Sequence, residues 1–261
     1  MKKMRIDTLL VERGLVESRS KAQRLVMAGQ VRVDSQVVQK PSISFSPDVE
    51  ITIDPGKNFV SRGGDKLNAA LEEFQIDVGG LVCADIGAST GGFTDCLIQN
   101  GAIKVFSIDV GKGILHWNLR NREEVIVMEG INARNLEKLP EAVDLVAIDV
   151  SFISSKVMLT VVKGWFGEKG GQVILLIKPQ FEAGRSEVQR GKGVIRDPNV
   201  HKKVLTDVIK FADENQYQIT GLIKSPLLGP KGNVEFLAWF EYPARKESRM
   251  EIYVERLFTG V

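Results

Sequence analysis

The chain has 261 residues, with 35 Lys and Arg against 33 Asp and Glu, two cysteines and two histidines. That length allows one sizeable domain and a small one, and a net charge of +2 says little about partners until its distribution is read. Two thiols with two histidines give no zinc or disulfide pattern, no apolar run approaches the roughly 20 residues of a membrane span, and the charged residues 1–7 lack the apolar core of a signal peptide. These exclusions predict a cytoplasmic protein without metal or membrane.

The first 53 residues read as two short helices and a small β element. Asp7 is placed to cap the first helix, with Leu9 and Leu10 turned inward and Gly14 ending it. The second starts near Ser18, buries Ala22, Leu25 and Val26, and ends at Gly29; a hairpin over residues 31–38 then turns at Asp34 and Ser35. Charge here is one-signed: Lys2, Lys3, Arg5, Arg13, Arg19, Lys21, Arg24 and Arg32 stand against Asp7, Glu12 and Glu17. The pattern Arg5-x-Asp7-x-Leu9, Arg13-Gly14, Ser18-Arg19-Ser20-x-Ala22 and Gly29-x-Val31-x-Val33 resembles the S4 RNA-binding domain. In that family the second helix and the following turn lie on structured RNA. The resemblance implies phosphate contacts from Arg5, Arg13, Arg19, Lys21 and Arg24, with Arg62 as a further RNA contact.

A turn-rich joint over residues 53–58 separates the expected domains, 1–57 and 58–261. A helix follows, with Leu67, Ala70, Leu71 and Phe74 on one side. Lys66 falls in its first turn, where the helix dipole disfavours a cation, so another group is expected to hold it.

The most informative stretch is residues 81–95. A short apolar run ends at Asp85, breaks into Gly87-Ala-Ser89-Thr-Gly91-Gly92 and resumes with helical spacing from Phe93. Strand, glycine turn and helix N-terminus in that order bring backbone N–H groups close to a nucleoside-bearing ligand. The turn lacks the second glycine of the dinucleotide fingerprint and the Lys-Ser or Lys-Thr of a phosphate loop, which disfavours NAD and ATP and leaves S-adenosylmethionine. Asp85, Gly87, Ser89, Gly91, Gly92 and Phe93 are the expected contacts. A second run ends in Asp109, placed to accept from two ribose hydroxyls, and a third ends near Asn132, a candidate for adenine. Glu129 stays open between a contact and an exposed position.

Further runs end at Asp149 and Lys178 with helical segments between. They predict an α/β fold: a doubly wound, Rossmann-like parallel sheet, preceded by the small α+β domain. Such sheets bind ligands beyond the carboxyl ends of their strands, so run-ending residues are the candidates for chemistry. Residues 184–197 carry Arg185, Arg190, Lys192 and Arg196 among glycines and read as a mobile basic loop over the site. An amphipathic helix near 199–215 and an antiparallel strand pair with Glu235 at the start of its second strand come next. A charged amphipathic helix over 244–258 ends the chain, and a monomer is expected.

Lys66, Asp149, Lys178 and Glu235 come from four separate elements at one sheet edge. They resemble the Lys-Asp-Lys-Glu tetrad of FtsJ-type RNA 2′-O-ribose methyltransferases, and residues 85–93 are similar to that group's cofactor turn, a resemblance that implies a class I methyltransferase sheet. With the S4 unit, the resemblance extends over nearly the whole chain to the TlyA, or haemolysin A, family. It implies methyl transfer from S-adenosylmethionine to cytidine 2′-hydroxyls of ribosomal RNA in a ribosomal subunit. The linker departs from the family's common Arg-x-Trp-Val, reading Lys57-Asn58-Phe59-Val60.

The residue types suit that chemistry. A ribose hydroxyl is a weak nucleophile, and its in-line attack on a sulfonium methyl needs alignment and a base to take the proton. Lys178 steered by Asp149 is the expected base. Lys66 would orient the 2′-oxygen, and Glu235 would position either amine. The haemolysin label suggests a membrane-damaging protein instead, against which the missing span counts. A non-catalytic RNA-binding ribosome-assembly factor is the other alternative, against which the intact tetrad counts.

Overall fold

The computed structural model describes residues 3–54, 59–245 and 250–259. The chain divides into two compact units, Met1–Asn58 and Phe59–Val261. Lys2, the linker positions Lys57 and Asn58, and residues 246–249 of the expected last helix lie outside the described residues.

In the first unit β1 (Met4–Arg5) runs into α1 (Ile6–Glu12), followed by α2 (Arg19–Met27), β2 (Val31–Val33), β3 (Gln36–Val38), β4 (Ser44–Phe45) and β5 (Ile51–Ile53). Strands pair antiparallel as β3-β2-β5 and β1-β4 over a core of Ile6, Leu10, Ala22, Val26 and Val31. Ser18 caps α2 by accepting from the Lys21 N–H, and Asp34 and Ser35 take the positive φ of a tight hairpin turn.

Asp7 is not the cap that its position suggests. The helix starts one residue earlier, and Asp7 is buried in its first turn, accepting from Arg5, Arg19 and Gln23. The Arg5 guanidinium, with Gln23 and Arg19, holds this carboxyl well below the usual carboxylate range. Asp7 therefore lends the unit stability that is complete above the pKa of an unfolded aspartate and is lost as acid reaches the folded carboxyl.

The second unit contains α3 (Arg62–Phe74), β6 (Val82–Ile86), α4 (Gly92–Gln99), β7 (Lys104–Asp109), α5 (Trp117–Arg120), β8 (Val125–Glu129), β9 (Leu145–Ile148) and α6 (Ser155–Val162). It continues through β10 (Gly171–Ile177), α7 (Pro179–Glu182), α8 (Arg185–Arg190), α9 (Pro198–Glu214), β11 (Gln218–Lys224), β12 (Phe236–Tyr242) and α10 (Met250–Thr259). Among the described residues its strands form one sheet, ordered β11-β12-β10-β9-β6-β7-β8. Strands β10, β9, β6, β7 and β8 are parallel, and β12 inserts antiparallel between β10 and β11.

Both faces of the sheet are covered, which is why its strands read as continuous apolar runs. Cys83, Val105, Leu145 and Ile174 pack with Leu67, Leu71 and Leu97 on one face; Phe106, Val146 and Val173 pack with Leu159, Leu205 and Val208 on the other. The direction of winding reverses between β6 and β9. The carboxyl ends of those two strands therefore flank the crevice where such sheets bind ligands.

Residues 184–197 differ from the structureless loop that their composition predicts. Part of the segment is α8, and Val194 and Ile195 are buried. The Ile195 N–H donates to Asn233 Oδ1 and its carbonyl meets His201 Nε2, each at 3.0 Å. Those partners belong to other elements, so no local pattern announces them.

Candidate active site

The turn after β6 is shaped by the strand beside it. Gly87 has φ +83°, and a Cβ there would meet the Asp149 carbonyl oxygen at 2.3 Å, so glycine lets the turn pass the end of β9. The Ser89 N–H donates to Asp109 Oδ2 at 2.8 Å, and the Gly111 N–H to Oδ1 at 2.7 Å. These bonds fix the carboxylate that ends β7.

Beside Asp109 opens a cavity of about 420 Å³, walled by Ile108, Val110, Ile114, Ala133 and Met158 and bordered by Gly87, Ser89 and Asn132. An aliphatic slot beside one oriented carboxylate suits a nucleoside, with a planar base between the side chains and vicinal hydroxyls on the acid. Asn132 caps a 3-10 turn by accepting from the Arg134 N–H at 3.1 Å, which fixes its side chain at the cavity border. Glu129 is not an exposed bystander. It accepts from the N–H groups of Gly113, Ile114 and Leu115 and pairs with Arg120, which holds its carboxyl down to about 2. Those bonds fold the segment that brings Ile114 to the cavity wall.

Asp85 and Gly91 do not stand on the wall of this cavity or its neighbour. Gly91 is the left-handed N-cap of α4, with its backbone against Leu115 and Leu119. Asp85 is wholly buried behind the turn, its Oδ2 accepting from the Thr94 N–H at 2.9 Å and from the Thr94 hydroxyl at 2.7 Å. Its other oxygen has no partner among the described residues. Burial pushes this carboxyl up to about 7 against the opposing Thr94 bonds.

The folded carboxyl thus keeps its proton to about pH 7, while an unfolded aspartate loses it near ~3.9. Stability falls across that window as pH rises. The Asp85→Asn variant, which cannot ionise, is expected to flatten the fall. Urea unfolding at pH 5 and pH 8 checks it, and an unchanged difference between the two would assign the titration to another group.

A second cavity, of about 260 Å³, shares Gly87, Ser89 and Asp149 with the first. Its wall brings together Lys66, Asp149, Lys178 and Glu235, with Arg62, Gly92 and Phe93 beside them. Lys178 reaches it because Pro179 follows: the residue before a proline is driven extended, and Lys178 leaves β10 at φ −112°, ψ 101°. Its Nζ pairs with Asp149 and donates to Ser151 Oγ at 3.0 Å. Lys66 Nζ lies 2.5 Å from Glu235 Oε2, and Glu235 is completely buried. This is the group that holds a cation in the first turn of α3, and it comes from 169 residues away. Each ammonium is little exposed and each has its own carboxylate, which offsets the cost of burying charge.

Ser151 and Gln180, whose amide donates to Glu235, are site residues that sequence reasoning missed. Each stands two positions after a tetrad member, but Ser151 follows Asp149 in non-helical chain while Gln180 lies in the first turn of α7, so no common spacing announces them.

In the first unit the expected RNA residues divide. Arg24 is exposed, and Lys21 pairs with Glu17. Arg5 and Arg19 bind Asp7 while staying about half exposed. Arg13 donates to the carbonyls of Val49 and Pro47, so its guanidinium braces a loop.

Parallel strands wound in this order, with a glycine turn after β6 and a fixed acid ending β7, define a Rossmann-like α/β protein with a ligand pocket at the switch point of its sheet. The chain belongs to the FtsJ-like methyltransferase family, whose model matches residues 59–242, and carries an S4 domain over residues 4–51. It is similar to the 16S/23S rRNA (cytidine-2′-O)-methyltransferase TlyA of Mycobacterium tuberculosis, 43% identical over 91% of this chain and 90% of that one. It is also similar to Hemolysin A of Brachyspira hyodysenteriae, 39% identical over 91% of this chain and 99% of that one. A solved structure from Streptococcus thermophilus named as a hemolysin aligns at a TM-score of 0.72 with 39% identity, covering 98% of this chain and 96% of that one. Among the described residues no helix is long and apolar enough to cross a membrane, and no acidic or His/Cys cluster could hold a metal.

Proposed function

We propose that this chain transfers a methyl group from S-adenosylmethionine to the 2′-hydroxyl of a cytidine in ribosomal RNA, acting on a ribosomal subunit. The main support is that two lysine–carboxylate pairs line one cavity, and that this cavity shares Gly87, Ser89 and Asp149 with the Asp109 pocket. The S4 domain supports an RNA substrate, and the name of the mycobacterial relative specifies this reaction for that protein.

Bound S-adenosylmethionine supplies an electrophilic methyl group on a positive sulfonium. Asp109 would accept from its ribose hydroxyls, Asn132 would meet its base, and the turn from Gly87 to Phe93 would cradle the rest. The nucleophile is the ribose oxygen of the RNA, which must lose its proton as the carbon–oxygen bond forms. Lys178 is the base, fixed by Asp149 and Ser151 where the two cavities share a wall. Lys66, held by Glu235, donates to the 2′-oxygen and steadies the charge developing there. Arg62 and the exposed cations of the S4 domain contact phosphates.

The Asp109→Ala variant is expected to weaken S-adenosylmethionine binding roughly 10- to 100-fold, the loss of one or two hydrogen bonds to a charged acceptor. Titration calorimetry reads this directly, and an unchanged Kd would withdraw Asp109 from the cofactor site.

The whole reading is tested by mapping 2′-O-methyl positions in ribosomal RNA from cells with and without this protein. A cytidine methylated only in its presence supports it, and identical maps overturn it. A membrane-damaging protein would instead release dye from lipid vesicles, and none is expected here.

A further inference from the structure

We infer that Gln180 is a positioning residue that locks the Lys66–Glu235 pair and couples it to the Lys178–Asp149 pair. This rests on the catalytic reading of those four residues and adds to it.

The short helix α7 is nailed at both ends. At its start Lys178 pairs with Asp149, and the Phe181 N–H closes the turn on the Lys178 carbonyl at 2.9 Å. At its end Glu182 accepts from the Ser155 N–H at 2.6 Å and from the hydroxyls of Ser154 and Ser155 at 2.7 Å. Gln180 sits between these anchors, and its Nε2 donates to Glu235 Oε1 at 3.4 Å.

Backbone also packs on that oxygen. A Cβ at Gly229 would meet Glu235 Oε1 at 2.0 Å, so glycine lets the chain lie flush against the carboxylate. One carboxylate oxygen thus has both Gly229 and the Gln180 amide as neighbours. The other is left facing Lys66 at 2.5 Å.

The amide is held at a cost. Gln180 Oε1 is buried and has no hydrogen-bond partner among the described residues. An orphaned buried acceptor destabilises a fold, and the amide N–H on the buried Glu235 carboxylate offsets that cost; an apolar side chain of equal length would remove both. Gln180 lies two residues from Lys178 and touches the partner of Lys66, so it joins two ion pairs that otherwise come from four separate elements.

The test compares the full-length wild type with Gln180→Met, which keeps length and loses the amide, with ribosomal subunits saturating and S-adenosylmethionine varied up to saturation. Gln180→Met should lower kcat about 10-fold or more with KM for S-adenosylmethionine within two-fold, and should add less than about two-fold to the loss already caused by Glu235→Gln. Losses that multiply in the double variant, or a raised KM with kcat intact, overturn the coupling. A second readout does not depend on turnover: Lys66 acylation by an amine-reactive ester, followed by peptide mass spectrometry. Gln180→Met should label Lys66 several-fold faster than wild type, and equal rates overturn the proposal. Wild-type protein that labels as expected but methylates no ribosomal RNA would count against the catalytic reading alone.

Discussion

Lys178→Ala is expected to lower methyl transfer by about 10²- to 10⁴-fold, the usual contribution of a positioned base, while S-adenosylmethionine binds within two-fold of wild type. The reason is the position of its amine. Lys178 lines the cavity of the two ion pairs, whereas the aliphatic slot and Asp109 belong to the adjoining one. Removing the amine takes away the proton acceptor and leaves the cofactor contacts standing. Lys178→Arg sharpens the distinction, because a guanidinium keeps the charge beside Asp149 but cannot accept a proton at working pH. If Lys178 were only half of a structural ion pair, the arginine variant would retain much of the activity. Single-turnover methylation together with calorimetric cofactor affinity decides it, and near-normal turnover by either variant removes Lys178 from the base role.

Lys66→Met should unfold the second unit more readily as well as stop the reaction. Glu235 is completely buried, and deleting its partner leaves an uncompensated carboxylate, a defect that costs about 3–5 kcal/mol. In a domain of this size that lowers Tm by on the order of 10 °C. The double replacement Lys66→Met with Glu235→Leu removes both charges and is expected to recover most of the lost stability while activity stays absent. Thermal denaturation and methylation assays on the two variants separate the effects. A double variant as unstable as the single one would show that packing around the site, not the lone charge, sets the cost.

The separation matters because stability and chemistry draw on the same side chains here. Burial makes each lysine dependent on its carboxylate, and on the proposed mechanism the same amines would meet the ribose oxygen. Asp85 shows the opposite arrangement. It is a buried acid with one satisfied oxygen, pushed up to about 7 and kept off both cavity walls, so it supports the turn from behind.

Much of this was readable from the residues. The apolar runs, their endings at Asp109 and just before Asp149 and Lys178, the glycine turn after Asp85, the helix start near Ser18 and the hairpin at Asp34 and Ser35 are all set by neighbours a few residues apart. Chain order and short-range sterics decide those features, so a linear reading finds them. Asp7 misled because a carboxylate at a helix start is the common cap, and what overrides it are Arg19 and Gln23, brought close by the packing of α2 on α1. Residues 184–197 misled because their order comes from Asn233 and His201 rather than from an apolar period.

By itself, then, the sequence determined the parallel sheet, the place of the glycine turn and the four residue types of the tetrad. The tertiary structure decided their partnership: Glu235 goes to Lys66 and accepts from the Gln180 amide, and Asp149 goes to Lys178. The physical reason is that β12 inserts beside β10, which carries Glu235 to the rim where α3 begins. Contacts across 169 residues depend on strand order, and strand order is fixed by the burial of both sheet faces at once rather than by any local stretch of chain.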